Sequence, residues 1–348
     1  MTQDKRQSRA FHRTIGGTKV LAALGLIVGL TAFSRAQDQQ PKMNEPGNFD
    51  SPQRQQSTPA RRGGTAGTAR VQAHSPRDDK GQWSPTDFAK ANPKLPTLVI
   101  AGDSTASTGD PNHRGWGAPL IDYFDTNKVN VVNRSRGGRS FRTFVEEKLW
   151  DQILANLKPG DLVMIQLGQN DGGSVLDAKR RADLPGMGDE TQDVPRTNGT
   201  METVHTYGWY TRQFIRDAKN KGATPVVMAM TIHNSWTGGK VGRNLGRMYP
   251  IARQIAAEEK VLFVDHSNLI ADRYDKMGED AVKAYFPADY VHTSTDAAVV
   301  NAELFISGIK GLNIQPLVDA LNEKGKAIEA SSPAAIPVTG KSPQSPGG

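Results

Sequence analysis

The chain contains no cysteine, and that absence removes disulfide scaffolds, cysteine-ligated zinc, iron–sulfur clusters, thiol catalysis and a lipidated N-terminal cysteine. Aromatic residues are sparse, at 7%. No Lys/Arg cluster is interleaved with them on a segment that would fold, so the net charge of +7 does not carry the footprint of a nucleic-acid-binding surface. Long apolar runs are also missing. The longest, residues 20–33, falls short of the ~20 residues that span a bilayer, which excludes a membrane bundle. Nor is the domain itself basic. Residues 1–96 hold 15 Lys and Arg against 7 Asp and Glu, and the remaining 252 residues sum to −1.

What is present at the N-terminus reads as an export signal. Lys5, Arg6, Arg9, Arg13 and Lys19 precede the apolar run, and Ser34-Arg35-Ala36 supplies small residues at the two positions a signal peptidase reads. Residues 1–36 are therefore expected to be a cleaved signal peptide, giving a secreted or periplasmic protein with no stable membrane insertion; left uncleaved, the run would act as an anchor. Residues 37–95 are rich in Gln, Pro, Arg, Gly, Ser and Thr. Such a stretch buries too little apolar surface to offset its ordering entropy and is expected to be a disordered linker, as is the tail at residues 326–348.

Residues 96–325 have the size of one α/β domain. Apolar runs of strand length stand at residues 97–101, 129–132, 162–167, 225–230 and 261–264, with helical patterns at residues 117–124, 144–155, 203–221, 247–259 and 294–312. Short, solid, β-branched runs alternating with helices predict a parallel sheet covered on both faces, an α/β/α sandwich. In such a sheet the chemistry collects beyond the C-terminal strand ends. Gly102-Asp103-Ser104-Thr105 follows the first run, Gly137-Gly138-Arg139-Ser140 the second and Gly168-Gln169-Asn170-Asp171 the third, while Asp289-Tyr290-Val291-His292 precedes the last helical pattern. One hydroxyl, small residues that expose backbone, one amide and one carboxylate–imidazole pair are the parts needed for acyl transfer. Ser104 is the candidate nucleophile, His292 its base and Asp289 the carboxylate that fixes the imidazole tautomer. The backbone N–H groups of Ser104 and Gly138 and the Asn170 amide are the candidate oxyanion donors. Asp103 and Asp171 are expected to pin their loops through backbone hydrogen bonds.

These four blocks resemble those of the GDSL or SGNH hydrolases, whose signature residues are Ser, Gly, Asn and His. Gly115-Trp116-Gly117, Gly137-Gly138-Arg139-Ser140, Gln169-Asn170-Asp171-Gly172 and the T-V-H-T-Y-G-W-Y stretch at residues 203–210 are similar to the rhamnogalacturonan acetylesterase branch. The resemblance implies a three-layer, flavodoxin-like fold and a cofactor-free serine esterase that removes O-acetyl groups from a polysaccharide, with pectic rhamnogalacturonan as the substrate. The segment Ile232-His233-Asn234-Ser235-Trp236 departs from that branch, where an Arg precedes the Asn and Trp. Trp116, His233 and Trp236 are the expected substrate contacts, whereas Trp209 is expected in the core. Arg134, Arg136, Arg139 and Arg142, with Arg114, Arg243 and Arg247, suggest recognition of a polymer bearing carboxylates. Three readings compete: a non-catalytic carbohydrate-binding protein of the same fold held at the cell envelope; a metal-dependent phosphoesterase with Asp103, Asn170, Asp171, His233 and Asp289 around a divalent cation; and a thioesterase or lipase of the same fold.

Overall fold

The computed structural model describes residues 86–243 and 246–332. The expected signal peptide, most of the expected linker and residues 333–348 lie outside them. Among the described residues no helix is long and apolar enough to cross a membrane.

The strands among these residues are, in chain order, β1 (Thr97–Gly102), β2 (Asn130–Asn133), β3 (Leu162–Gln166), β4 (Thr191–Pro195), β5 (Met201–His205), β6 (Thr224–Met228), β7 (Trp236–Thr237), β8 (Lys240–Val241) and β9 (Leu262–Val264). Five of them form one sheet in the order β2-β1-β3-β6-β9, every neighbouring pair parallel. All five lie at the expected apolar runs. The chain leaves β1 for one side of the sheet and β3 for the other, so the switch point of this doubly wound order falls at the C-terminal ends of β1 and β3.

The helices are α1 (Phe141–Glu146), α2 (Leu149–Asn156), α3 (Tyr207–Asn220), α4 (Met248–Glu258), α5 (His266–Met277), α6 (Glu279–Lys283), α7 (Thr295–Gly311) and α8 (Glu323–Lys326). Alternation along the strands divides the core between two layers. Val99, Ala101, Val163, Ile165 and Val227 face Phe141, Phe144, Trp150, Phe214 and Ile255. Leu98, Ile100, Leu162, Met164 and Val226 face Trp116, Leu120, Phe305 and Ile309. Trp150 stacks on Phe214 with ring centroids 3.9 Å apart, and truncating either ring to Ala is expected to cost about 3–5 kcal/mol.

Local chemistry moves several element bounds. The expected helix at residues 203–221 begins only at Tyr207, after Thr206 caps it by accepting from the Trp209 N–H. Before it, Met201 and Thr203 are exposed while Glu202 and Val204 are buried, a period of two that belongs to the antiparallel hairpin β4–β5. The pattern at residues 144–155 breaks into α1 and α2 at Lys148, whose φ is 58°. The first helical pattern is a 3-10 helix, Pro119–Tyr123.

The domain is also wider than residues 96–325. The Asn133 N–H donates to Thr86 Oγ1 at 2.7 Å, and Asn92 exchanges hydrogen bonds with Asn130. Phe88 packs against the core. At the other end Ile328 packs on the second layer and the Ser331 N–H donates to the Ser307 carbonyl. A few anchoring side chains thus order segments whose average composition is that of a linker.

Candidate active site

The turn that presents Ser104 begins where β1 ends. A Cβ on Gly102 would lie 2.9 Å from Ser135 Oγ, 3.0 Å from Ala106 Cβ and 3.2 Å from the Gln166 carbonyl oxygen, so only glycine lets the chain leave the sheet between β2 and β3. Asp103 is fully buried and its Oδ1 accepts from the Thr105 N–H at 2.9 Å and the Thr105 hydroxyl at 2.8 Å. Burial pushes its carboxyl up to about 6, with the Thr105 hydrogen bonds opposing that rise. The turn places Ser104 Oγ 2.8 Å from His292 Nε2, and His292 Nδ1 lies 2.7 Å from Asp289 Oδ2. The acceptor on Asp289 requires the ring proton on Nδ1, which leaves the Nε2 lone pair facing the hydroxyl. Asp289 Oδ1 also accepts from the N–H groups of Val291 and His292, each at 2.7 Å. Burial disfavours the Asp289 charge, but these donors and the imidazole outweigh it and hold the carboxyl below its ordinary range.

The second block lies against the first: a Cβ on Gly137 would be 3.7 Å from Ser104 Cβ. Gly138 has φ 74°, the left-handed region where a side chain is strained. Neither the Ser104 N–H nor the Gly138 N–H donates to any described residue. Asn170 is held from both ends, its Nδ2 donating to the Arg139 carbonyl at 3.1 Å and its Oδ1 accepting from Arg181 Nη1 at 3.0 Å. One Asn170 amide proton is left over. The three candidate oxyanion donors therefore sit on loops that meet beside Ser104.

Behind Asn170 lies a buried acid pair. Asp171 and Asp183 are both fully buried. Asp171 Oδ1 accepts from the Phe141 N–H at 2.9 Å, fixing the start of α1 to the third block. Among the described residues, Asp171 Oδ2 and both carboxyl oxygens of Asp183 have no donor at ordinary hydrogen-bond distance. The two carboxyls perturb each other's titration, and a proton shared between them would supply what is missing. Burial raises both well above the ordinary carboxylate range, and the Asp171 charge lifts Asp183 further.

Of the expected substrate contacts, Trp116 is corrected. It is fully buried, stacks on Phe305 with centroids 4.9 Å apart and donates from Nε1 to Gln166 Oε1 at 2.6 Å, so no sugar can reach its face. Gln166 in turn bonds the Ala229 carbonyl and the buried His266, a network that sits beneath the site. His233 and Trp236 are half-buried at the rim. His233 Nε2 is 2.8 Å from Gln169 Oε1, Trp236 Nε1 donates to Asn234 Oδ1 at 2.8 Å, and the Asn234 N–H donates to the carbonyl of Tyr290, the neighbour of Asp289. Trp209 packs partly against the core and stacks on His205 at 3.6 Å.

Most of the arginine cluster is engaged within the protein, although only Arg114 and Arg142 are buried. Arg142 is buried and forks onto Glu202 at 2.6 and 2.7 Å, while its Nη1 donates to the carbonyls of Val175 and Ala182. This ties α1 to the β4–β5 hairpin and to the loop carrying Arg181. Arg134 pairs with Asp87, Arg139 with Glu147, and Arg243 with Asp272 and Asp275. Arg114 donates to the carbonyls of Thr108 and Gly109, and Arg247 to those of Asp171 and Asp183. Of the seven, Arg136 and Arg243 stand exposed, and Arg243 is already paired with Asp272 and Asp275. Arg181, Asp183 and His113 were not singled out in the sequence. Only His113 left a signal there, because Asp110-Pro111-Asn112-His113 repeats the Asp-x-x-His spacing of residues 289–292.

The model of the GDSL-like lipase/acylhydrolase family matches residues 100–298. A rhamnogalacturonan acetylesterase of Emericella nidulans is 34% identical over 214 residues, 61% of this chain and 84% of its own. A probable rhamnogalacturonan acetylesterase of Bacillus subtilis is 31% identical over 231 residues, 64% of this chain and 96% of its own. The crystal structure of the YxiM protein of Bacillus subtilis superposes with a TM-score of 0.52 at 23% identity, covering 64% of this chain and 58% of that one, and so shares the fold. The parallel sheet with helices on both faces, the four blocks at its strand ends and the extent of the family match lead to one conclusion: the chain belongs to the GDSL-like lipase/acylhydrolase family and is a carboxylic ester hydrolase.

Proposed function

We propose that the protein is a serine esterase that removes O-acetyl groups from a polysaccharide of the pectic rhamnogalacturonan class, with Ser104 as nucleophile, His292 as base and Asp289 as its orienting carboxylate. The observation that carries this reading is the continuous contact from Ser104 Oγ through His292 to Asp289, 2.8 and 2.7 Å long, beside two N–H groups that have no acceptor among the described residues.

In the reaction, His292 Nε2 takes the Ser104 proton as Oγ attacks the acetyl carbonyl. The charge that develops on the carbonyl oxygen is met by the N–H groups of Ser104 and Gly138 and by the Asn170 amide. The imidazolium then returns its proton to the departing sugar oxygen, leaving acetyl-Ser104, and a water activated by the same imidazole releases acetate. Asp289 stabilises the imidazolium without itself taking the proton. No step calls for a cofactor.

His233, Trp236 and Tyr290 line the rim nearest the triad and are the proposed sugar contacts. The substrate class rests on the names of the two acetylesterase relatives. The arginine argument for an acidic polymer is weaker than the sequence suggested, since it now rests on Arg136 and Arg181. Of the set imagined for a phosphoesterase, Asp103 and Asp171 are buried and bonded to backbone N–H groups, which leaves their carboxylates unavailable to a catalytic cation. Export to the periplasm or medium is part of the proposal and rests on the N-terminal sequence.

The test is acetate release from acetylated rhamnogalacturonan and acetylated xylan alongside acetyl, butyryl and long-chain esters. The proposal expects acetyl esters to be favoured and the pectic polymer to give the highest kcat/KM. Preference for long-chain esters would instead indicate a lipase.

A further inference from the structure

Beside the triad stands a second carboxylate–imidazole pair that the reaction does not use. His113 Nδ1 lies 3.1 and 3.0 Å from the two oxygens of Asp110, and Asp110 Oδ1 also accepts from the N–H groups of Asn112 and His113. This is the turn that Asp289 and His292 form. The two turns are stitched together by their neighbours. The Arg114 N–H donates to the Thr293 carbonyl at 2.8 Å, the Thr293 hydroxyl returns a bond to the Arg114 carbonyl at 2.6 Å, and the Thr295 N–H reaches the Pro111 carbonyl. The imidazoles of His113 and His292 consequently meet edge to face with centroids 5.2 Å apart.

We propose that His113, His292 and Asp289 form a binding site for a divalent transition ion of the zinc class, and that the ion, when bound, switches the esterase off. One ligand atom from each of the three residues lies within 4.8 Å of the others, compared with about 3.3 Å between ligands around a tetrahedral zinc ion. Partly exposed side chains on loops can close that difference. In His113 the Nδ1 proton is directed at Asp110, the outer-shell arrangement that orients zinc-binding histidines, which leaves Nε2 for the ion. Two imidazoles and one carboxylate suit zinc, cobalt or copper and not magnesium or calcium, which take oxygen ligands.

Inhibition follows from the chemistry of His292 and rests on the serine-esterase reading, whereas binding rests on the cluster alone. An ion bonded at Nε2 occupies the lone pair that accepts the Ser104 proton. An ion bonded at Nδ1 moves the ring proton to Nε2, which then cannot accept it. Either way no proton is lost and the base is.

The experiment uses the full chain and two readouts. Titration of wild type with ZnCl2 should abolish acetyl ester hydrolysis reversibly, with EDTA restoring it, and MgCl2 at the same concentrations should do nothing. H113A should keep its zinc-free kcat within twofold and need at least tenfold more zinc for half-inhibition. Visible absorption of Co2+ added to S104A should appear, and should be lost in S104A/H113A. Equal zinc sensitivity of wild type and H113A, or a cobalt spectrum indifferent to His113, would overturn the site. A protein without esterase activity that still binds cobalt through His113 would keep the site and refute the esterase assignment.

Discussion

The two sides of the site are built in opposite ways. The oxyanion side is set into the sheet. Its loops leave β1, β2 and β3, and the fully buried carboxyls of Asp103 and Asp171 hold them by accepting from the Thr105 and Phe141 N–H groups, with Asp183 buried alongside. The base side is an exposed turn, in which Asp289 holds its own backbone and the His292 ring without help from the core. Burial raises the first set of carboxyls above their ordinary range, while local donors hold Asp289 below it. The proposed oxyanion donors thus rest beside carboxyls that burial biases toward the protonated form, and the proposed base on a carboxylate that must be ionised.

Substitutions test the two sides, and the largest losses are expected along the contact from Ser104 through His292 to Asp289, where they meet. S104A and H292A should each lower kcat by about 10⁶, the scale on which removal of one triad member disables the unit, while circular dichroism and Tm stay close to wild type. D289N should cost about 10⁴ by stabilising the wrong imidazole tautomer. Activity of D289N within tenfold of wild type would mean that the Asp289 contact is structural only.

On the oxyanion side, N170A should lower kcat by about 10²–10³ with KM little changed. R181A removes the hydrogen bond that orients Asn170 and should lower kcat by less, about 10-fold, because a charge-assisted bond is worth about 1.5–3 kcal/mol. An effect of R181A on KM for charged polymers alone would move Arg181 from positioning to substrate binding.

The smallest catalytic effect and a distinct stability effect are expected for D171N. An amide at this position still accepts from the Phe141 N–H through its oxygen and donates from its nitrogen to Asp183, mimicking the shared proton. Activity near neutral pH should stay within a few fold. In wild type the pair binds more protons folded than unfolded, so stability falls as pH rises from the unfolded carboxyl value of ~4 toward and beyond the raised folded values, about 7 for Asp171. The decline in Tm between pH 5 and 8 should be shallower in D171N. An unchanged slope would remove the shared proton from the account.

The contrast between the two sides also explains what could be read from the sequence. The five sheet strands were legible because buried parallel strands are short, solid apolar runs, and the blocks were legible because catalysis needs particular groups at strand ends. Asp289 and His292 form a local turn, so their spacing alone predicted the contact between them. Arg181 and Asp183 belong to a polar stretch whose role exists only after the loop folds back beneath Asn170. Trp116 was misplaced because a block-adjacent Trp looks the same whether it faces a cleft or Phe305. Arg142 looked like part of a charged patch until burial against Glu202 gave it a partner sixty residues away. The ordering of residues 86–95 depends on single side chains such as Phe88 and Asn92, which composition averages out.

The central claim is that Ser104 is the nucleophile activated by His292, and covalent labelling tests it most directly. Incubation with an organophosphonate carrying a good leaving group, followed by peptide mass spectrometry, should find one adduct, on Ser104. Its rate of formation should collapse in H292A and be nearly unchanged in H113A. Labelling of a different serine, or equally fast labelling of Ser104 in H292A, would contradict the account.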